Sequence, residues 1–131
     1  MTNASPRITR LIGVYDADGT MRGELSYFVR ARLGRAHCAL CEITHGRVRE
    51  RRDWQDQRTR LPVPIEVFHR DDQPEAARLA GGSSPPVVLA ETIDGRCRLL
   101  LSRAELEECA GSPRRMVDAI LDAVSRQGLG W

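Results

Sequence analysis

The chain has no lysine, and all twenty of its basic residues are arginine. Eighteen Asp and Glu nearly cancel them, leaving a formal net charge of +2. The arginine content is therefore a bias of composition more than a sign of function. Aromatic residues make up only 5% of the chain, and the two Tyr and two Phe are not interleaved with arginines. Stacking on single-stranded nucleic acid needs such interleaving, so nucleic acid is not an expected partner. No apolar run approaches the roughly 18 residues of a membrane span, so no membrane association is expected. The N-terminus, MTNASPRITR, lacks the apolar segment of a secretory signal. These absences lead to the expectation of a cytoplasmic protein. Four cysteines, Cys38, Cys41, Cys97 and Cys109, are too few for a disulfide scaffold in 131 residues. In a reducing compartment they suit core thiols, a metal site or a redox pair.

What is present is enough for a core. With 41% hydrophobic and 29% charged residues the chain lies outside the disordered range. A single domain over residues 1–131 is expected, with 1–6 polar and frayed. The run ITRLIGVY at 8–15, ending at DADG, predicts a buried strand. Leu25, Phe28, Val29 and Leu33 fall at helical spacing in 24–33, and Gly34 stops that helix. In HCALCEIT (37–44) the apolar residues fit both strand and helix; in the element order it counts as a strand. Residues 47–61 carry six Arg against Glu50, Asp53 and Asp56, which predicts a solvated amphipathic helix. Trp54 would anchor that helix to the sheet.

VPIEVF (63–68) alternates as a strand. Residues 72–79 read as a short helix with Asp72 as N-cap, ended by Gly81 and Gly82. Strands at 87–91 and 96–101 form a hairpin about Asp94–Gly95. Ser102 with Glu105 forms a capping box for a helix over 103–109. Ser112–Pro113 opens a last helix whose apolar stripe is Met116, Val117, Ile120, Leu121 and Val124.

The resulting order, β-α-β-α-β-α-β-β-α, predicts an α/β fold. Together with DDQPEAARLAGGSSPPVVLAETIDGRCRLLL at 71–101, it resembles the thioredoxin-like superfamily. The resemblance implies a three-layer sandwich: a mixed sheet with a C-terminal β-hairpin and a final helix. It also gives Pro86 the role of the family's cis proline facing the active site, with Ser84–Pro85 or Pro85–Pro86 as the cis bond. The family's catalytic CxxC stands where a strand meets the following helix, whereas DADGTMRG follows the first strand here. The implied protein is a divergent member that has lost the usual catalytic position.

Cys38-Ala-Leu-Cys41 is the sharpest local feature. At a helix start, a CxxC can lower one thiol pKa and close a small disulfide ring; in a strand its two thiols point to opposite faces. Redox chemistry would have one of Cys38 and Cys41 attack and the other resolve, which requires two sulfurs close together and one exposed. His45 completes a CxxCxxxH spacing that suits zinc, with a fourth ligand from His69, Cys97 or Cys109. No cofactor is otherwise expected. Cys97 and Cys109 have no neighbouring base and read as structural. The partner would be a protein or a thiol substrate, and a binding module without catalysis is the alternative to an enzyme.

Asp16-Ala-Asp18-Gly19-Thr20-Met21 after LIGVY resembles the first motif of haloacid dehalogenase-like phosphatases. That resemblance implies Asp16 as nucleophile, Asp18 as acid/base, both near magnesium, and Asp71 or Asp72 on the metal. An arginine would stand in for the family's lysine. Read without the resemblance, Asp18-Gly19 is a turn.

Overall fold

A computed structural model describes residues 6–16, 38–45 and 51–131. The predicted helix over 24–33, Asp18, and the first residues of the arginine-rich segment lie outside the described residues. Within them the chain forms β1 (Ile8–Tyr15), α1 (Ala39–Thr44), α2 (Arg52–Arg58), β2 (Ile65–His69) and the short α3 (Glu75–Ala77). A wide turn over Arg78–Gly82 leads to β3 (Val87–Thr92), β4 (Cys97–Leu101), α4 (Arg103–Glu108) and α5 (Pro113–Arg126).

The four strands make one mixed sheet in the order β2-β1-β3-β4. β1 runs parallel to β2 and antiparallel to β3, and β4 returns antiparallel beside β3. The alternation of side chains along β1 divides the core. Leu11 and Tyr15 enter a cluster with residues of α1, α2, α4 and α5. Ile12 and Val14 enter another with Ala77 of α3, Val87 and Leu89. A strand buried on both faces must be apolar nearly throughout, which is why LIGVY reads as a continuous run.

The local signals in the second half act as expected. Glu105 N–H donates to Ser102 Oγ at 3.3 Å, and Ser102 N–H donates to Glu105 Oε1 at 3.0 Å, completing the capping box. Ser112 caps α5 by accepting from Arg115 N–H at 3.2 Å. Met116, Val117, Ile120 and Val124 are buried along that helix, together with Ala123. Gly95 adopts φ +81° in the hairpin turn, a backbone conformation that favours glycine.

Two expectations need correction. Residues 39–44 are helix, not strand, so the described sheet has four strands where the expected order has five. Ala39, Leu40, Cys41 and Ile43 are all buried in one cluster, which a short helix lying on the sheet permits. The helix predicted over 72–79 begins later, at Glu75, because Asp72 does not cap it. Its carboxylate instead accepts the His69 N–H at 2.6 Å, closing a side-chain turn after β2. Trp54 is the buried residue of α2 and lies in the same cluster as Leu11 and Val88 of the sheet, while its helix packs chiefly against α5 and α1. Arg60 adds an ion pair to Asp118 of α5 at 2.6 Å.

Candidate functional site

The candidate site lies where β1 ends. Gly13 allows α1 to settle on the strand: a Cβ there would stand 3.2 Å from Leu40 Cδ2 and 3.3 Å from Val67 Cγ1. Branched side chains at this position would overpack the space between helix and sheet. Gly13→Val is expected to lower stability by about 1–3 kcal/mol. It should also speed alkylation of Cys38 by tilting Leu40, and with it α1, away from the sheet. Urea unfolding and alkylation rates check this; unchanged values for both would show that α1 does not depend on this close approach.

Cys38 is the N-cap residue of α1, in extended conformation, and its Sγ accepts the Cys41 N–H at 3.3 Å. The helical backbone therefore brings both cysteines of the CxxC to one turn, which the strand alternative would have separated. The Cys38 thiol is held below its ordinary value, first by a hydrogen bond from the Cys41 side chain. Burial opposes that shift, the backbones of Asp16 and Cys41 reinforce it, and the Asp16 charge acts against it. Asp16 and Cys38, separated by residues 17–37 in sequence, thus meet in space at the end of β1. The sequence places no cysteine directly after that strand; the fold brings one there from further along the chain.

One requirement set for a redox pair is not met: Cys38 is 0% exposed and Cys41 7%, so neither sulfur is open to solvent. Cys97 and Cys109 are also unpaired thiols. Burial pushes both above the ordinary thiol value, with Glu91 adding to it at Cys97 and Glu108 at Cys109.

The Asp16 carboxylate faces two guanidinium groups, Arg70 just after β2 at 3.4 Å and Arg103 at the start of α4 at 3.7 Å. Arg103 Nη1 also donates to the Pro85 carbonyl at 3.1 Å. Pro86 follows, buried at the start of β3, and the Pro85–Pro86 peptide bond is cis. Cys38, Asp16, Arg103 and the Pro85–Pro86 pair are therefore linked by successive contacts.

His45 is engaged elsewhere. Its Nδ1 lies 3.0 Å from Tyr15 Oη and 2.8 Å from Thr44 Oγ1. Tyr15 Oη is itself 2.7 Å from Thr44 Oγ1. The rings of His45 and His69 each meet the Tyr15 ring edge to face, at 5.8 Å between centroids. His69 Nδ1 is paired with Asp72 at 3.2 Å, so Asp72 serves a turn and an imidazole. Among the described residues, no group of three or more His, Cys, Asp or Glu is arranged to hold a metal ion.

Sequence reasoning singled out Cys38, Cys41, Asp16 and Pro86, which the fold gathers, and missed Arg70 and Arg103. Each arginine stands alone in sequence, one after a strand and one inside a capping box, so no local pattern marks them. No helix among the described residues is long and apolar enough to cross a membrane. No family model, curated protein or solved structure matches the chain.

Proposed function

We propose that the chain is a divergent thioredoxin-like thiol–disulfide redox protein in which Cys38 and Cys41 interconvert between dithiol and disulfide. The observation that carries this reading is the hydrogen bond from the Cys41 amide to the Cys38 sulfur at 3.3 Å, at the start of α1. It sets both cysteines in one helical turn and favours the Cys38 thiolate, the nucleophilic form. The thioredoxin-like sandwich is supported by the strand order β2-β1-β3-β4, the parallel β1–β2 pair, the β3-β4 hairpin and the final helix. The position of Cys38 against the end of β1 supports the same assignment, since that family keeps its CxxC where a strand meets a helix.

Cys38 is the attacking group and Cys41 the resolving one. In the cytoplasm a reducing environment would keep the pair as dithiol until a disulfide arrives. Cys38 is 0% exposed and Cys41 7%, so exchange with an external disulfide requires local opening at α1.

The test is redox equilibration with mixtures of reduced and oxidised dithiothreitol, followed by alkylation and peptide mass spectrometry. The peptide spanning Cys38 and Cys41 should lose two hydrogens reversibly. That loss should vanish in Cys38→Ser and in Cys41→Ser, and persist when Cys97 and Cys109 are both replaced by serine. A pair that stays reduced across the whole range would leave a non-catalytic binding module in place of a redox protein.

A further inference from the structure

Both thiols of the pair are buried, so whatever holds α1 in place governs their reaction. A helix of six residues is too short to persist alone, and α1 therefore depends on its contacts. Leu40 and Ile43, both fully buried, hold its apolar side and keep opening rare. Three polar groups meet at its last turn. Tyr15 Oη lies 2.7 Å from Thr44 Oγ1 and 3.0 Å from His45 Nδ1, and Nδ1 lies 2.8 Å from Thr44 Oγ1. The Leu40 carbonyl, 3.2 Å from Thr44 Oγ1, can only accept, so Thr44 donates to it and accepts from Tyr15. Tyr15 is the fixed side of this group: it ends β1 and pairs in register with His69 of β2. Thr44 ends α1 and His45 caps it. The carbonyls that a helix end leaves open are met from elsewhere. The Arg51 amide donates to Thr44 O at 2.7 Å, and Arg51 Nη1 donates to Glu42 O at 3.0 Å and to Gly111 O at 2.6 Å. Those bonds tie α1 to the start of α2 and to the turn before α5, whereas the Tyr15 hydroxyl ties it to the sheet.

Building on the redox reading, we propose that Tyr15 is a positioning residue that latches α1 over the thiols, and that breaking its hydrogen bond to Thr44 admits an external disulfide to Cys38. The latch works through Thr44 and α1, and Tyr15 takes no part in the exchange itself. With α1 released, the Cys38 thiolate attacks one sulfur of the external disulfide. Its S–S bond breaks, and the other half leaves as a thiolate that takes a proton from solvent. Cys41 then releases its proton to solvent and attacks the Cys38 sulfur. The mixed disulfide breaks, and the second half leaves and is protonated. The external disulfide gains two electrons and two protons; the cysteine pair loses them and closes its own S–S bond.

Alkylation of the reduced protein by iodoacetamide, resolved for Cys38 by peptide mass spectrometry, reads the open fraction when closing outpaces reaction. In the unmutated protein Cys38 should react faster than global unfolding allows. Its rate should change little with urea below the unfolding transition, because a local opening exposes little surface. Tyr15→Phe keeps the ring and removes the hydroxyl, and should raise that rate about fivefold, the worth of one hydrogen bond. Thr44→Val should act likewise, whereas Thr44→Ser, which keeps the hydroxyl, should lie nearer the unmutated protein. In the variant carrying both Tyr15→Phe and Thr44→Val, the increase should fall well below the product of the single effects, since both remove the same bond.

The urea midpoint should fall whether the bond is a latch or only structural, but the Cys38 rate rises only if the bond breaks in the opening that exposes the thiol. A Cys38 rate that follows global unfolding, or one that ignores Tyr15→Phe while the urea midpoint falls, would overturn the latch and leave the redox pair standing. Oxidised dithiothreitol should close the Cys38–Cys41 disulfide about fivefold faster in Tyr15→Phe than in the unmutated protein, matching the alkylation rates. Faster alkylation with no disulfide at any dithiothreitol ratio would overturn the redox reading, and with it the part of this inference that concerns exchange.

Discussion

Replacing Trp54 by alanine is expected to cost about 3–5 kcal/mol of stability, the range for emptying a large buried aromatic site. The indole is 2% exposed and is the buried residue of α2, whose remaining positions are mostly charged or amide side chains. Without it, the segment keeps polar ties such as that of Arg60, just past α2, to Asp118, a half-exposed pair of small individual worth. Set against a total of about 5–15 kcal/mol for a domain of this kind, the loss would bring the protein close to unfolding at ordinary temperature. The effect should reach the thiol site as well, because α2 packs on α1 and α5. Urea denaturation measures it, with Trp54→Phe as the milder companion, retaining most of the buried area. A loss below about 1 kcal/mol for the alanine variant would mean that α2 is not held by its tryptophan.

The second large effect is in the pH dependence of the thiols. Cys38 should alkylate with a midpoint below the ordinary thiol value, and Cys97 and Cys109 with midpoints above it. Near neutral pH, Cys38 should thus hold the largest thiolate fraction of the three. Rates of modification by iodoacetamide, resolved for each cysteine by mass spectrometry, give the midpoints directly. A Cys38 midpoint equal to or above that of Cys109 would remove the argument for its role as nucleophile.

The same shifts act on stability with opposite signs. Because the Cys38 value is lowered in the folded protein, its stabilising contribution is fully present above the ordinary thiol value. It is lost as pH falls through the folded value. At Cys97 and Cys109 the folded values are raised, so their contribution is present below the ordinary value and is lost as pH rises through the folded one. Unfolding of Cys38→Ser and Cys109→Ser against the unmutated protein, across mildly alkaline pH, should show the two differences changing in opposite directions.

Much of the fold was legible in the sequence because its signals were local. The apolar run at Ile8–Tyr15, the Asp94–Gly95 turn, the Ser102/Glu105 box and the stripe along α5 each concern residues within a few positions of one another. Their physical causes are turn geometry, side-chain capping and helical periodicity, and those operate in any context the fold permits. The segment Cys38–Thr44 was not legible in this way. Its apolar residues satisfy both periods over so few positions that packing had to choose, and burial of Ala39, Leu40, Cys41 and Ile43 in one cluster chose the helix. At Asp72, two roles were open to one carboxylate, and the turn after β2 took it from the helix.

By itself, then, the sequence determined four strands, the caps of α4 and α5, the hairpin and the identity of the cysteine pair. The tertiary structure decided that the pair starts a helix, that Asp16 meets Cys38, and that Arg70 and Arg103 share the Asp16 carboxylate. Those meetings join residues far apart in the chain. Long-range contacts leave no pattern in a single sequence, because they follow from how the sheet and helices pack and not from the spacing of neighbouring residues.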